Sequence, residues 1–228
     1  MLKNKLAADF LGTFALVFAG TGAIVINDVT RGAVTHVGIA LTFGLVVLAM
    51  IYTVGDISGA HLNPAVTLGF WAARRFEVGQ VLPYLASQCA GALLASGVLR
   101  LLFPENVTLG ATLPAGTALQ SFVLETILTA LLMFVILNVS TGAKEKGVTA
   151  GIAVGSVIAL EALFAGPICG ASMNPARSLA PALVSGHLEH LWIYLAAPVL
   201  GALLAVVACR CVKAEGCCCA AEGKEIAA

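Results

Sequence analysis

Ser58–Thr67 reads SGAHLNPAVT, and its core returns in the second half of the chain as Gly170–Leu179, GASMNPARSL. Each copy holds an Asn-Pro-Ala triplet, Asn63-Pro64-Ala65 and Asn174-Pro175-Ala176. Proline suits the first turn of a helix, where its missing N–H would have no partner anyway. Asparagine before it is a good N-cap, because its side-chain oxygen accepts a first-turn amide. Each triplet therefore reads as a helix start. The apolar stretch that follows breaks after about ten residues, so at 1.5 Å per residue it covers about half of a ~30 Å hydrocarbon core. The pair is predicted to be two half-helices.

Outside the half-helices, six apolar runs are long enough to cross a bilayer, at 6–27, 33–54, 81–102, 117–139, 148–166 and 190–211. Hydrophobic residues make up 60% of the 228, charged residues only 11%, and the mean hydropathy is +1.00. That is too little charge to coat a soluble globule of this size, so lipid is the expected solvent. The formal net charge is zero, and nothing points to nucleic acid. The expected class is an all-α membrane protein of six transmembrane helices and two re-entrant half-helices. The first run, behind Lys3 and Lys5, is longer than a signal-peptide core and reads as a retained helix.

Charge sets the expected orientation. With the N-terminus in the cytoplasm, Lys3, Lys5, Arg74, Arg75, Lys144, Lys146, Arg210, Lys213 and Lys224 fall inside, nine of the twelve basic residues. The opposite choice violates the positive-inside bias. The expectation is a multi-pass protein of the cell membrane (plasma or bacterial inner membrane) with both termini cytoplasmic. Of seven cysteines, Cys211, Cys217, Cys218 and Cys219 sit in the tail, which argues against an extracellular disulfide framework.

The triplets are not the only repeated feature. Asp9 in the first run has a counterpart in Glu125 in the fourth. Each half holds three spans, an odd number, so the second is expected upside down relative to the first. The predicted units are 1–108, 109–212 and a cytoplasmic, cysteine-containing tail at 213–228. Inverted repeats with broken helices mark a transport pathway. Two half-helix N-termini meeting in mid-membrane raise the cost of a cation there. The amide NH2 groups of Asn63 and Asn174 are left to donate to a passing oxygen. Irregular backbone at this depth survives only where it lines a wet cavity. The carbonyls of Ala60, His61 and Leu62, and of Gly170, Ala171 and Ser172, are thus the expected acceptors. The solute so described is small, uncharged and hydrogen-bonding, and no cofactor or metal is called for.

The two quoted segments, set in two three-helix halves with Arg177 directly after the second triplet, resemble the aquaporin (major intrinsic protein) family from about residue 5 to 211. The resemblance implies a six-helix bundle assembled as a homotetramer, with one pore per subunit. It also implies an outer selectivity filter at Phe43, Ala162, Ala171 and Arg177. Water channels of the family usually carry His where Ala162 stands, so a wider, less polar aperture is implied. Glycerol facilitators place Asp where Ser178 stands. Leu163–Pro181 (LFAGPICGASMNPARSLAP) most resembles the nodulin-like intrinsic proteins and their bacterial relatives. Those are associated with water, glycerol and neutral metalloid hydroxides such as boric and arsenous acid. A water-selective aquaporin is the alternative within the family.

Other residues admit two readings. Asp9 and Glu125 are intramembrane acids, hence functional candidates; the resemblance implies structural acids that bond loop amides, against a proton relay. Glu161 adjoins the filter position but diverges from it by about 100° around the helix, toward the bundle or a subunit interface. His61 has no nearby metal-ligand partners in sequence and reads as a packed ring. Cys169 is either a pore-mouth thiol or a small core residue. Cys217, Cys218 and Cys219 are either a soft-ligand cluster for trivalent arsenic or part of an acylated or disordered tail. An ion-coupled secondary transporter would need coupling residues at the midplane, and an enzyme a nucleophile-base pair or ligand spacing. The sequence offers neither, so a non-enzymatic channel is the expectation.

Overall fold

A computed structural model describes residues 1–140 and 144–212, leaving aside the side chains of 144–148. Its elements are α1 (Leu2–Val29), α2 (Thr35–Ser58), α3 (Pro64–Ala72), α4 (Val78–Leu102), α5 (Ala118–Val139), α6 (Lys144–Cys169), α7 (Pro175–Ser185) and α8 (Leu191–Val212). Six of these are long and apolar enough to cross a membrane. The other two, α3 and α7, have 9 and 11 residues. At 1.5 Å per residue they reach about halfway across the hydrocarbon. The bounds differ from the apolar runs by a few residues: α1 and α6 extend beyond theirs at both ends, whereas α2 starts two residues later and ends four later. Lys3 and Lys5, which precede the first apolar run, belong to the first turns of α1, because straight-chain residues continue a helix readily past the apolar run. Lys213 and Lys224, the segment 213–228 and its cysteines at 217–219 lie outside the described residues, as do the side chains of Lys144 and Lys146.

Packing follows the sequence repeat. In the first half α1 packs on α4, and in the second α5 packs on α8. Close approach at these crossings requires glycine. A Cβ on Gly91 of α4 would overlap the carbonyl oxygen of Phe10, and one on Gly201 of α8 would overlap that of Thr126. The halves join where α2 crosses α6. There Gly44 and Gly155 meet backbone to backbone, and a Cβ on either would stand 2.5–2.6 Å from the other's carbonyl oxygen. The half-helices fill the centre, with α3 against α4, α5 and α8, and α7 against α4, α8 and α1. Leucine and valine side chains such as Leu45, Leu82, Leu101 and Leu119 stay exposed on the outer faces, as a lipid-facing surface demands.

Candidate functional site

The two half-helices begin beside each other. Asn63 Oδ1 accepts the Ala65 amide at 2.8 Å; Asn174 Oδ1 accepts those of Ala176 and Arg177 at 3.0 and 3.3 Å. The amide nitrogens cross over. Asn63 Nδ2 donates to the Met173 carbonyl at 2.7 Å, and Asn174 Nδ2 donates to the Leu62 carbonyl at 2.9 Å. This corrects the expectation that both NH2 groups are left free. One N–H of each is spent tying the opposite loop, because the neighbouring half brings an unpaired loop carbonyl within reach. The Leu62 carbonyl is accordingly engaged rather than fully open.

The loops before the triplets are strained and held. Ala60 and Leu62, and likewise Ala171 and Met173, have φ of +41° to +53°, a region that costs a non-glycine residue of order 1 kcal/mol or more. Two acids hold them there. Asp9 Oδ1 accepts Ser58 Oγ (3.0 Å) and the His61 amide (3.1 Å); Oδ2 accepts the Leu62 amide (3.2 Å) and Gln88 Nε2 (2.6 Å). Glu125 accepts the Ser172 and Met173 amides, one on each oxygen, both at 2.8 Å. Both acids are fully buried. Each lies in its own helix, at corresponding places in the two halves, and each touches the loop that precedes its own triplet.

A cavity of about 110 Å³ runs along the junction, room for several waters at ~10–15 Å³ each. Its walls are of two kinds. From α2, α5 and α6 come apolar side chains, Phe43, Val47, Ile51, Leu132, Ile136, Val154 and Ile158. From the loops and half-helices come Ala60, His61, Leu62, Asn63, Ala171, Ser172, Asn174 and Arg177. Gly170 and Cys169 are not among the lining residues. Gly170 instead packs on Thr112, and the Cys169 thiol is buried against the Ala165 carbonyl. Of the four expected filter positions, Phe43, Ala171 and Arg177 line the cavity. Ala162 is buried one turn beyond Ile158 and does not.

Arg177 is 2% exposed. Its Nη1 donates to the Gly110 carbonyl at 2.8 Å, and its guanidinium carbon stands 5.0 Å from the centroid of the Phe43 ring. A buried cation is thus pinned between a carbonyl and an aromatic face. Gly110 belongs to the α4–α5 connection, which the sequence reading passed over. The same connection sends Thr112 Oγ1 to Ser178 Oγ at 2.8 Å, and Ser178 Oγ pairs with Ser172 Oγ at 2.5 Å. Arg100 folds this connection by donating to the Pro104 and Asn106 carbonyls. Local sequence offers no sign of it: glycines and threonines in a short polar linker read as connection only.

His61 lies among Phe70, Phe76 and Tyr84, with ring centroids 4.7–5.2 Å away, and its Nδ1 pairs with Thr67 Oγ1. Glu161 is buried within the subunit rather than at an outer surface, and among the described residues neither carboxyl oxygen has a partner.

With this geometry in place, comparison with known proteins is specific. Residues 1–208 match the major intrinsic protein family. The chain belongs to that family. It is 51% identical over 201 residues to Aquaporin NIP1-1 of Oryza sativa subsp. japonica, covering 88% of this chain and 71% of that one. It is also 51% identical to Nodulin-26 of Glycine max, covering 88% and 74%. Among solved structures it resembles the aquaglyceroporin from Plasmodium falciparum, with a TM-score of 0.81 and 26% identity over 90% of this chain and 94% of that one. The chain is therefore a multi-pass membrane protein of an aquaporin-type channel family.

Proposed function

We propose that the chain is a passive channel for small neutral solutes, passing water, glycerol and neutral metalloid hydroxides such as arsenous or boric acid while excluding ions and protons. The observation that carries this reading is the cavity itself, apolar on its α2, α5 and α6 walls and polar along the two loops, with the buried Arg177 among its lining residues. A neutral hydroxylated solute trades water for loop carbonyls and the remaining amide hydrogens of Asn63 and Asn174. A cation meets two helix N-termini and a fixed guanidinium in a low dielectric. Phe43, Ala162, Ala171 and Arg177 form the filter in this reading, and two alanines keep it wide. Asp9 and Glu125 are the structural acids that hold the loops. The two halves are inverted repeats, the termini are cytoplasmic, and four copies assemble with one pore each.

The test is stopped-flow light scattering on proteoliposomes of the full chain. Uptake of glycerol and arsenous acid well above empty vesicles, unaffected by a protonophore and without proton leak, is expected. Water flux with no uptake of either solute overturns the wide-filter reading and favours a water-selective channel. Uptake abolished by the protonophore overturns the passive one.

A further inference from the structure

Pro167 lies inside α6 and carries no amide hydrogen, so the carbonyl four residues back, that of Leu163, has no helical donor. In a bilayer an unpaired carbonyl is costly. The donor comes from another helix: His36 Nε2 of α2 stands 2.8 Å from the Leu163 oxygen. A carbonyl only accepts, so Nε2 must carry the hydrogen and is the donor. The ring rests over Gly166, where a Cβ would come within 2.9 Å of His36 Cε1. The proline, the glycine and the histidine thus fit one another.

Position gives this bond its consequence. His36 and Phe43 are seven residues apart on α2, about two turns, and so share a face. Phe43 is the chain neighbour of Gly44, where α2 touches the backbone of α6 at Gly155. Ala162 is the chain neighbour of Leu163. Two of the contacts between α2 and α6, the Gly44–Gly155 backbone approach and this hydrogen bond, therefore lie directly beside Phe43 and Ala162; a third, Tyr52 against Gly151, lies farther along the pair. Whatever sets the separation of these contacts sets the gap between those residues.

We propose that His36 is a positioning residue for selectivity: by bonding the carbonyl that Pro167 leaves open, it fixes the α2–α6 gap and with it the largest solute the pore admits. This rests on the reading of Phe43 and Ala162 as filter positions. Without the bond, α6 is free to bend further at Pro167, and the gap loses its upper limit.

The experiment uses the full chain in proteoliposomes, with erythritol, glycerol and water permeabilities normalised to reconstituted protein. His36→Phe keeps a ring and removes the donor, and the erythritol-to-glycerol ratio is expected to rise about fivefold, the factor one net hydrogen bond commands. His36→Gln still offers an Nε2 donor and is expected to stay within about twofold of the parent. The decisive arm is His36→Phe with Pro167→Ala, which gives Leu163 a helical donor of its own. That double variant is expected to return to the parent ratio.

An unchanged ratio in His36→Phe overturns the proposal, as does a double variant that stays as leaky as His36→Phe. If His36→Phe alone fails to insert, a double variant that inserts with the parent ratio supports the proposal, and one that does not overturns it. Ala162→Phe separates the two layers. If it leaves glycerol flux unaltered, the filter reading fails. If it blocks glycerol while His36→Phe changes nothing, only the role of His36 fails.

Discussion

Asp9 and Glu125 do the same work in the two halves, yet neutralising them by isosteric amides is expected to cost different amounts. Glu125→Gln keeps one carbonyl oxygen for one of its two partners. The new NH2 then faces the other backbone amide, of Ser172 or Met173, donor against donor, and the side chain beside it, the Cys169 thiol, is only a weak acceptor. One backbone N–H is left buried without a partner and one amide group without a good one. Charge-assisted hydrogen bonds contribute roughly 1.5–3 kcal/mol each, and a stranded buried donor costs roughly 1–3 kcal/mol. A net loss of about 3 kcal/mol follows. Asp9→Asn also strands one backbone amide, but its NH2 has somewhere to go. Gln88 Oε1 is buried and without a partner, and turning that side chain over presents it to the new donor, at the expense of the Nε2 bond to Thr67 Oγ1. Ser58 offers the other escape, since its hydroxyl already lies 3.3 Å from the Val54 carbonyl and can donate there instead. The expected loss is about 1 kcal/mol, smaller by one buried polar group.

Unfolding free energies measured by SDS titration in mixed micelles give the comparison, with glycerol flux as a second readout. Glu125→Gln should also lose flux, since Ala171 and Met173 are held in left-handed conformations by the same bonds. The relief at Asp9 can be removed. In a Ser58→Ala, Gln88→Leu background, which takes away both escapes, Asp9→Asn should approach the cost of Glu125→Gln. Equal losses for the two single variants, or the reverse order, would refute the reasoning that the partners of each acid decide its replaceability.

Three further outcomes are expected from the same geometry. Asn174→Ala should destabilise more than Asn63→Ala by roughly 0.5–1 kcal/mol in the same titration, because Asn174 caps two amides and Asn63 one. Gly44→Val would place a branched side chain 2.5 Å from the Gly155 carbonyl oxygen and 2.7 Å from Ala159 Cβ. It should cost about 1–3 kcal/mol by overpacking, seen as a lower melting temperature in detergent. Glu161→Leu should raise that temperature, since it removes two buried oxygens that have no partner among the described residues, roughly 1–3 kcal/mol of uncompensated desolvation.

The fold was legible because its determinants are local. Apolar run length marks the spans, and Asn-Pro at the start of a short run marks a half-helix, whatever the rest of the chain does. Pairing of Asp9 with Glu125 was visible as a repeat. What could not be read were bonds between the halves. The donor on Asn63 finds the Met173 carbonyl and that on Asn174 finds the Leu62 carbonyl, contacts between segments about half the chain apart, which no window of sequence displays. Gly110 and Thr112 were missed for a related reason. Their contribution to the site is a backbone carbonyl and a hydroxyl placed by a folded connection, and neither leaves a compositional mark.

This difference in legibility follows from how the two parts of the pore are built. At the junction the chemistry comes from backbone and from two asparagines that create their own helix starts, so motif and geometry are nearly the same thing. The proposed filter draws one residue from each of four places, and each is held by something else. Arg177 is bonded to Gly110, and Ala171 precedes a residue whose amide Glu125 accepts. Phe43 adjoins the Gly44–Gly155 contact, and Ala162 adjoins the carbonyl bonded by His36. An aperture defined this way depends on the tethers as much as on the side chains that face it. Two chains with the same four filter residues but different tethers need not share a size limit, and swapping the filter residues alone should transfer selectivity only in part.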